Sequence, residues 1–303
     1  MKIGIDMGGT TTKIGIVSTE GKILYQTNIP TPFYPDIDDF IDALYDATIP
    51  MIEKVGFENI ESIGAGCPNG NFYKGTIEHA ANLPWKGIVP FAEKISNKFS
   101  GIPCRLTNDA NAAALGEMKY GVAQNIKNFI MITLGTGVGS GIVIDGKLVY
   151  GHDGFAGELG HVKIVRGTEG RRCGCGQTGC LETYCSATGV VRSFIELSWK
   201  NQNTNTITSK DIFLLAQKGD PTAIEVFRRT GELLGQAFAD FVCFSAPEAI
   251  ILFGGLARSG DLLIKPIQQS MEENLLPQWK GKIKILTSKL NESDAAIIGA
   301  SEI

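Results

Sequence analysis

Apolar positions alternate with small or polar ones through Ile3-Gly4-Ile5-Asp6-Met7 and Ile14-Gly15-Ile16, and a short apolar run follows at Ile23 to Tyr25. This is the period of two that a half-buried strand requires. Turns at Gly8-Gly9 and Glu20-Gly21 separate the runs, so residues 1–29 read as a three-stranded meander. Pro30, Pro32 and Pro35 mark a loop, and Ile37 to Val55 carries helical spacing. A short strand over Ser62 to Gly66 runs into Cys67-Pro68-Asn69-Gly70, a turn set by its proline and Asn-Gly pair. Ala81 to Trp85 reads as loop, about Pro90 to Phe99 as helix and Pro103 to Leu106 as strand. Thr107-Asn108-Asp109 then leads into an alanine-rich helix that ends at Tyr120, before Gly121.

The meander recurs at 129–150: Phe129 to Leu134, a glycine-rich turn, Ile142 to Ile144, then Asp145-Gly146 and Lys147 to Tyr150. A segment rich in glycine and cysteine follows at 151–186, and the chain then becomes helical. The polar run Lys200 to Lys210 reads as a surface loop. Ala249 to Phe253 reads as a buried strand ending on Gly254-Gly255 before a helix, and Asp294 to Ile303 as a terminal helix. The expected division is an N-terminal lobe over 1–118, joined by a helix at about 292–303, and a C-terminal lobe over 119–291.

The two meanders enclose glycine- and threonine-rich loops: Gly8-Gly9-Thr10-Thr11-Thr12-Lys13 and Gly135-Thr136-Gly137-Val138-Gly139-Ser140-Gly141. Glycine lacks a Cβ, so backbone N–H groups in such loops can converge on an oxyanion while threonine hydroxyls add donors. Neither loop is a Walker P-loop, because a strand rather than a helix follows Lys13, and neither has the G-x-G-x-x-G spacing of a dinucleotide site. Two copies point to a nucleotide held from both sides. Asp6, at a strand end beside the first loop, is a natural Mg²⁺ partner, since that ion prefers one or two carboxylates plus phosphate oxygens.

Asn108 and Asp109 sit where a strand meets a helix. Helix capping accounts for such a pair taken alone, and its place between the two clamps makes it a candidate for chemistry. A helix start is expected to lower a carboxylate's pKa and make Asp109 a weak base. Phosphoryl transfer tolerates a weak base, because the attacking hydroxyl needs aiming more than early deprotonation.

His161, Cys173, Cys175 and Cys180 supply one imidazole and three thiols within twenty residues. That set completes a closed tetrahedral zinc site in a knuckle over 161–182. Glu158 and Glu182 flank it as possible acceptors for a polyol, or as plain solvated carboxylates. The other cysteines of the seven, Cys67, Cys104, Cys185 and Cys243, read as free thiols.

Composition narrows the function classes. Over 303 residues, 43% are hydrophobic and 20% charged, as in an ordinary globular enzyme. A formal net charge of −4, with no basic run, disfavours nucleic acid as a partner. No apolar run approaches the ~18–20 residues of a membrane span, and the chain opens directly on a strand, so a cytoplasmic protein is expected.

These residues resemble the ROK family of sugar kinases and sugar-responsive repressors. Asp6 to Lys13 is similar to the family's first phosphate motif, Asn108 to Asn111 to its catalytic segment, and Leu134 to Gly141 to its second phosphate motif. Glu158 to His161 with Cys173 to Glu182 resembles its zinc signature, and Phe253-Gly254-Gly255 its adenosine motif. The resemblance implies an α/β, actin-like ATPase (ribonuclease H-like) fold with two lobes around a nucleotide and sugar cleft. It further implies Mg-ATP-dependent phosphorylation of a hexose, and a homodimer.

Carried over by matched position, Asp109 is the catalytic base, and Asn82, Asn108, Glu158, His161 and Glu182 contact the sugar. Asp6, Gly8, Gly9, Thr10, Thr11, Lys13, Gly135, Thr136, Gly137, Gly139, Gly254 and Gly255 hold ATP and Mg²⁺, and His161, Cys173, Cys175 and Cys180 hold structural Zn²⁺. Asn82-Leu83-Pro84-Trp85 resembles the sugar loop of the family's glucokinases, so glucose is the expected substrate. The alternatives are an N-acetylhexosamine, fructose or a non-catalytic sugar sensor. Because the chain starts on the first phosphate motif, the repressor reading is not expected.

Two positions depart from the family pattern. Asn69 stands where glycine is common, against a close backbone approach to the sugar, and Gly167 to Gly170 lengthens the stretch between His161 and Cys173.

Overall fold

The computed structural model describes residues 1–198 and 207–303. The surface loop expected over Lys200 to Lys210 thus lies in large part outside the described residues. The chain divides into two units. The first comprises Met1–Asn125, Leu148–Ala156 and Lys289–Ile303, and the second comprises Ile126–Lys147 and Gly157–Ser288.

In the first unit the expected meander forms as β1 (Lys2–Met7), β2 (Thr11–Val17) and β3 (Ile23–Pro30), followed by α1 (Ile37–Val55). Next come β4 (Ser62–Gly66), β5 (Gly70–Asn71), β6 (Thr76–Glu78), β7 (Ile88–Val89), α2 (Phe91–Lys98), β8 (Cys104–Thr107) and α3 (Asp109–Tyr120). The main sheet has the order β3-β2-β1-β4-β8, antiparallel through the meander and parallel from β1 onward. Ile3, Ile5, Ile14, Phe40, Leu44 and Phe91 are fully buried in its core. Deleting an aromatic ring such as that of Phe40 would cost about 3–5 kcal/mol.

The opposite face of this sheet seats the C-terminal helix Glu292–Ser301. A Cβ at Gly4 would lie 2.0 Å from the Ile297 carbonyl oxygen, and one at Gly64 would lie 1.9 Å from that of Ala300. Only glycine lets the helix approach so closely. Glu302, just beyond the helix, pairs with Lys2 at 3.1 Å, accepts from the Tyr120 hydroxyl at 2.9 Å and also pairs with Lys119.

In the second unit β9 (Phe129–Leu134), β10 (Val138–Ile144) and β11 (Lys147–Leu148) repeat the meander. Then come α4 (Glu182–Cys185), α5 (Ala187–Leu197), α6 (Ser209–Gln217), α7 (Pro221–Ser245), β12 (Ala249–Phe253), α8 (Asp261–Asn274) and β13 (Lys284–Thr287). The sheet order β11-β10-β9-β12-β13 repeats that of the first unit, with β12 parallel to both β9 and β13. The internal repeat visible in the sequence is therefore a repeat of topology. Its core packs α7 and α8 on the sheet through Phe227, Leu234, Phe238, Leu263 and Ile267.

The small antiparallel sheet β5-β6-β7 and the strand β13 go beyond the sequence reading. Strands of two to four residues are too short to display a period. Among the described residues no helix is long and apolar enough to cross a membrane.

Candidate active site

Antiparallel pairing of β1 with β2 sets Asp6 directly opposite Lys13, whose Nζ lies 3.7 Å from Asp6 Oδ2. The loop between the strands closes through a hydrogen bond from Gly8 N–H to the Thr11 carbonyl at 3.0 Å. Thr31 holds it from behind: its hydroxyl donates to the Gly8 carbonyl at 2.8 Å and lies 2.9 Å from that of buried Thr12. Strand alternation turns Thr11 and Lys13 one way and Thr12 the other. Sequence reading passed over Thr31, which pairs with the loop through register rather than through a motif.

A Cβ at Gly9 would fall 2.7 Å from the Asn82 carbonyl, so the loop rests on the segment carrying Asn82. That segment is anchored by buried Trp85, which packs on Phe40 with ring centroids 4.6 Å apart and planes tilted 53°, and donates from its indole to the Tyr34 carbonyl at 3.0 Å. Trp85 is thus a core anchor for the Asn82 loop.

Asn108 caps α3, accepting from Asn111 N–H at 2.7 Å, and Asp109 begins the helix, its Oδ1 accepting from Ala110 N–H at 2.9 Å. The expected lowering of the Asp109 pKa does not hold. Loss of hydration raises it, and outweighs the backbone hydrogen bonds that lower it. The side chain still reaches solvent, so the shift reflects crowding by surrounding protein rather than complete burial. Asp6 is pushed up to about 6, first by burial and further by the charge of Asp109, against the lowering effect of Lys13. Asp6 and Asp109 therefore belong to one electrostatic site. Fully buried Cys67 feels Asp109 as well, and burial together with that charge keeps it a thiol.

Asn69 adopts φ +54°, the left-handed conformation that glycine supplies elsewhere and asparagine tolerates. Its side chain donates to the Glu78 carbonyl at 2.9 Å and closes the β5–β6 hairpin. Asparagine here thus holds a left-handed conformation that glycine would also adopt freely.

In the second unit the Gly135–Gly137 turn closes through Gly135 N–H to the Gly137 carbonyl at 3.1 Å, and Gly139 N–H donates to Thr133 Oγ1 at 3.1 Å. Gly254, at φ +100°, would place a Cβ 2.7 Å from the Leu134 carbonyl, whereas one at Gly255 would meet open space. The first glycine is fixed by packing and the second borders open space. Ser140, which the motif reading left without a role, accepts from Leu159 N–H at 3.1 Å, and its hydroxyl donates to the Gly157 carbonyl. It thereby sets the turn carrying Glu158. A Cβ at Gly160 would lie 1.9 Å from the Val138 carbonyl, so that turn lies flat against β10.

His161 lies between the two acids, Nε2 3.8 Å from Glu158 Oε2 and Nδ1 3.7 Å from Glu182 Oε1. One ligand atom from each of His161, Cys173, Cys175 and Cys180 falls within 4.8 Å of every other. Cys175 and Cys180 Sγ are 3.7 Å apart, and Cys173 Sγ is 3.6 Å from His161 Nδ1. Tetrahedral bonds of about 2.3 Å to sulfur and about 2.1 Å to nitrogen give edges of about 3.8 Å and about 3.6 Å, so this donor set fits a single metal ion. The lengthened stretch after His161 folds back, Ile164 N–H donating to Gly179 O at 2.9 Å and Gly179 N–H to Arg171 O at 2.8 Å. All four donors still converge.

Residues 2–303 match the ROK family. The chain belongs to that family. It is 35% identical over 309 residues to a glucokinase of Halalkalibacterium halodurans, covering 98% of this chain and 92% of that one. To an N-acetyl-D-glucosamine kinase of Salmonella gallinarum it is 28% identical, covering 91% of both. The crystal structure of a ROK family glucokinase from Streptomyces griseus in complex with glucose and AMPPNP superposes with a TM-score of 0.81 at 33% identity, over 99% of this chain and 98% of that one. The fold is that of the ROK sugar kinases on which it superposes, the actin-like ATPase fold.

Proposed function

We propose that this chain transfers the γ-phosphoryl group of ATP to the 6-hydroxyl of a hexose, with glucose as the preferred sugar. The observation that carries this reading is Asp109, held at the start of α3 by Ala110 N–H and coupled electrostatically to Asp6 beside the first phosphate loop. Full-length similarity to a glucokinase supports the choice of sugar.

In this reading the 6-oxygen attacks the γ-phosphorus as its proton passes to Asp109, the bond to the β–γ bridging oxygen breaks, and ADP leaves. A carboxylate with a raised pKa is a stronger base than an ordinary aspartate, and positioned general bases contribute about 10²–10⁴ in rate. The two glycine-rich loops, with Gly254 and Gly255, hold the nucleotide, and Lys13 faces its phosphates. Asp6 is the carboxylate that would hold Mg²⁺, which offsets phosphate charge when bound.

Asn82, Asn108, Glu158, His161 and Glu182 receive the sugar hydroxyls. Zn²⁺ is the ion assigned to His161, Cys173, Cys175 and Cys180, where its part is to fix the knuckle that orients His161 and Glu182. A cytoplasmic homodimer belongs to the same reading, on family membership.

A coupled assay reading glucose 6-phosphate tests it. Product formed only when ATP and glucose are both present is the expected result. ATP turnover without sugar, or product at another hydroxyl, would overturn the assignment.

A further inference from the structure

The second glycine-rich loop is strapped from outside by residues that no motif marks. Ala187 N–H, at the first position of α5, donates to the Gly135 carbonyl at 2.8 Å. The hydroxyl of exposed Thr188 donates to the Thr136 carbonyl at 2.6 Å. Ser186, which caps α5, accepts from Gly189 N–H at 3.1 Å, and its hydroxyl lies 2.9 Å from Thr188 Oγ1.

Because Thr188 spends its proton on the Thr136 carbonyl, Ser186 must donate to Thr188. A directed chain results, from Gly189 N–H through the two hydroxyls to the loop, in which each bond polarises the next. A trans peptide is planar, with its C=O and the following N–H pointing in opposite directions. Drawing the carbonyls of Gly135 and Thr136 toward α5 therefore turns the N–H groups of Thr136 and Gly137 away from it. Two adjacent N–H groups aimed the same way form an anion-binding pair. Gly137 itself is tightly packed on its other side: a Cβ there would lie 2.8 Å from Glu182 Oε2, so only glycine fits between that carboxylate and the loop.

We infer that Thr188 is a positioning residue for nucleotide phosphate binding, its hydroxyl holding the second loop in the orientation that presents the Thr136 and Gly137 N–H groups. This rests on reading that loop as a phosphate loop. A neutral hydrogen bond contributes about 0.5–1.5 kcal/mol net, so its loss corresponds to about 2–10-fold in affinity.

The test is AMPPNP binding by calorimetry on the full-length protein, together with steady-state kinetics, for Thr188→Val, Thr188→Ser and Thr136→Val. Thr188→Val keeps shape without the donor. It is expected to weaken AMPPNP binding and raise the ATP KM about fivefold, with glucose KM and kcat within about twofold of wild type. Thr188→Ser restores the hydroxyl and is expected to bind AMPPNP like wild type.

If Thr136→Val weakens AMPPNP while Thr188→Val does not, the strap is refuted and the phosphate-loop reading stands. If neither variant affects AMPPNP, the strap is refuted and the Thr136 hydroxyl is excluded from the nucleotide contact. Equal loss in Thr188→Val and Thr188→Ser would also refute the inference, since the hydroxyl would then not be what matters.

Discussion

Lys13 is the direct cross-strand partner of Asp6, with Nζ 3.7 Å from Oδ2, so the first glycine-rich loop is bracketed by a carboxyl and an ammonium group fixed by one register. The lysine offsets part of the effect of burial on Asp6. Lys13→Met removes the cation while keeping most of the side chain's length. Hydrogen bonds to charged groups contribute about 1.5–3 kcal/mol, so the ATP KM should rise at least about tenfold while glucose KM changes little. Steady-state kinetics with each substrate varied would decide this, and an unchanged ATP KM would remove Lys13 from the nucleotide site.

Cys175 is the exposed thiol of the cluster, whereas Cys173 and Cys180 are buried. Cys175→Ser should purify without stoichiometric zinc by elemental analysis and bind glucose more weakly, because His161 and Glu182 are oriented by the same knuckle. Structural zinc contributes on the order of 10 kcal/mol to small zinc domains, and less is expected where a large core already folds. Wild-type protein free of zinc as isolated would contradict the metal assignment.

Substrate choice follows from hydrogen-bond pairing. On the proposed function, Glu158 and Glu182, which lie on either side of His161, would accept from consecutive free hydroxyls of the sugar ring. A site built to bond a given hydroxyl can reject a sugar lacking it by ~10⁴-fold, since its own polar groups are left unpaired. Across a panel, kcat/KM for glucose should exceed that for N-acetylglucosamine, N-acetylmannosamine and fructose. A higher value for any of those three would reassign the sugar while leaving the chemistry intact.

The raised pKa of Asp109 gives two pH signatures. As a base it acts only when ionised, so kcat/KM should fall on the acid side with a midpoint above the ordinary 3.8. For stability the sign is opposite. A carboxyl whose pKa is raised on folding favours the folded state below its unfolded value, and that contribution is lost as pH rises through the folded value. Asp109→Asn, which carries no charge there, should therefore melt at or above wild type at pH 8, with the difference vanishing toward pH 4. Calorimetric scans at both pH values measure it, and a variant less stable than wild type at pH 8 would contradict the crowded-carboxylate account.

Much of this architecture was legible in the chain because strands and helices long enough to bury one face repeat their apolar positions several times. Ile3 to Met7 shows strand alternation, Phe129 to Leu134 is the nearly unbroken apolar run of a strand buried on both faces, and the repeat of the meander foretold the repeat of sheet order. The His–Cys cluster was legible because its four donors are close in sequence. What escaped was long-range or local in a different sense. Thr31 reaches the first loop by β2–β3 register, Ser140 reaches Gly157 and Leu159 through a single hydroxyl, and Thr188 reaches Thr136 across 52 positions. The raised pKa of Asp109 is not legible in the chain, because helix-end electrostatics is visible in sequence and dehydration by residues distant along it is not.

The most direct test of the phosphoryl-transfer account compares wild type with Asp109→Asn under saturating ATP and glucose, with AMPPNP binding measured in parallel. Asparagine keeps the oxygen that accepts from Ala110 N–H and removes the base. The expected result is a fall in kcat of at least ~10²-fold with AMPPNP affinity unchanged. A kcat near that of wild type would contradict the mechanism outright.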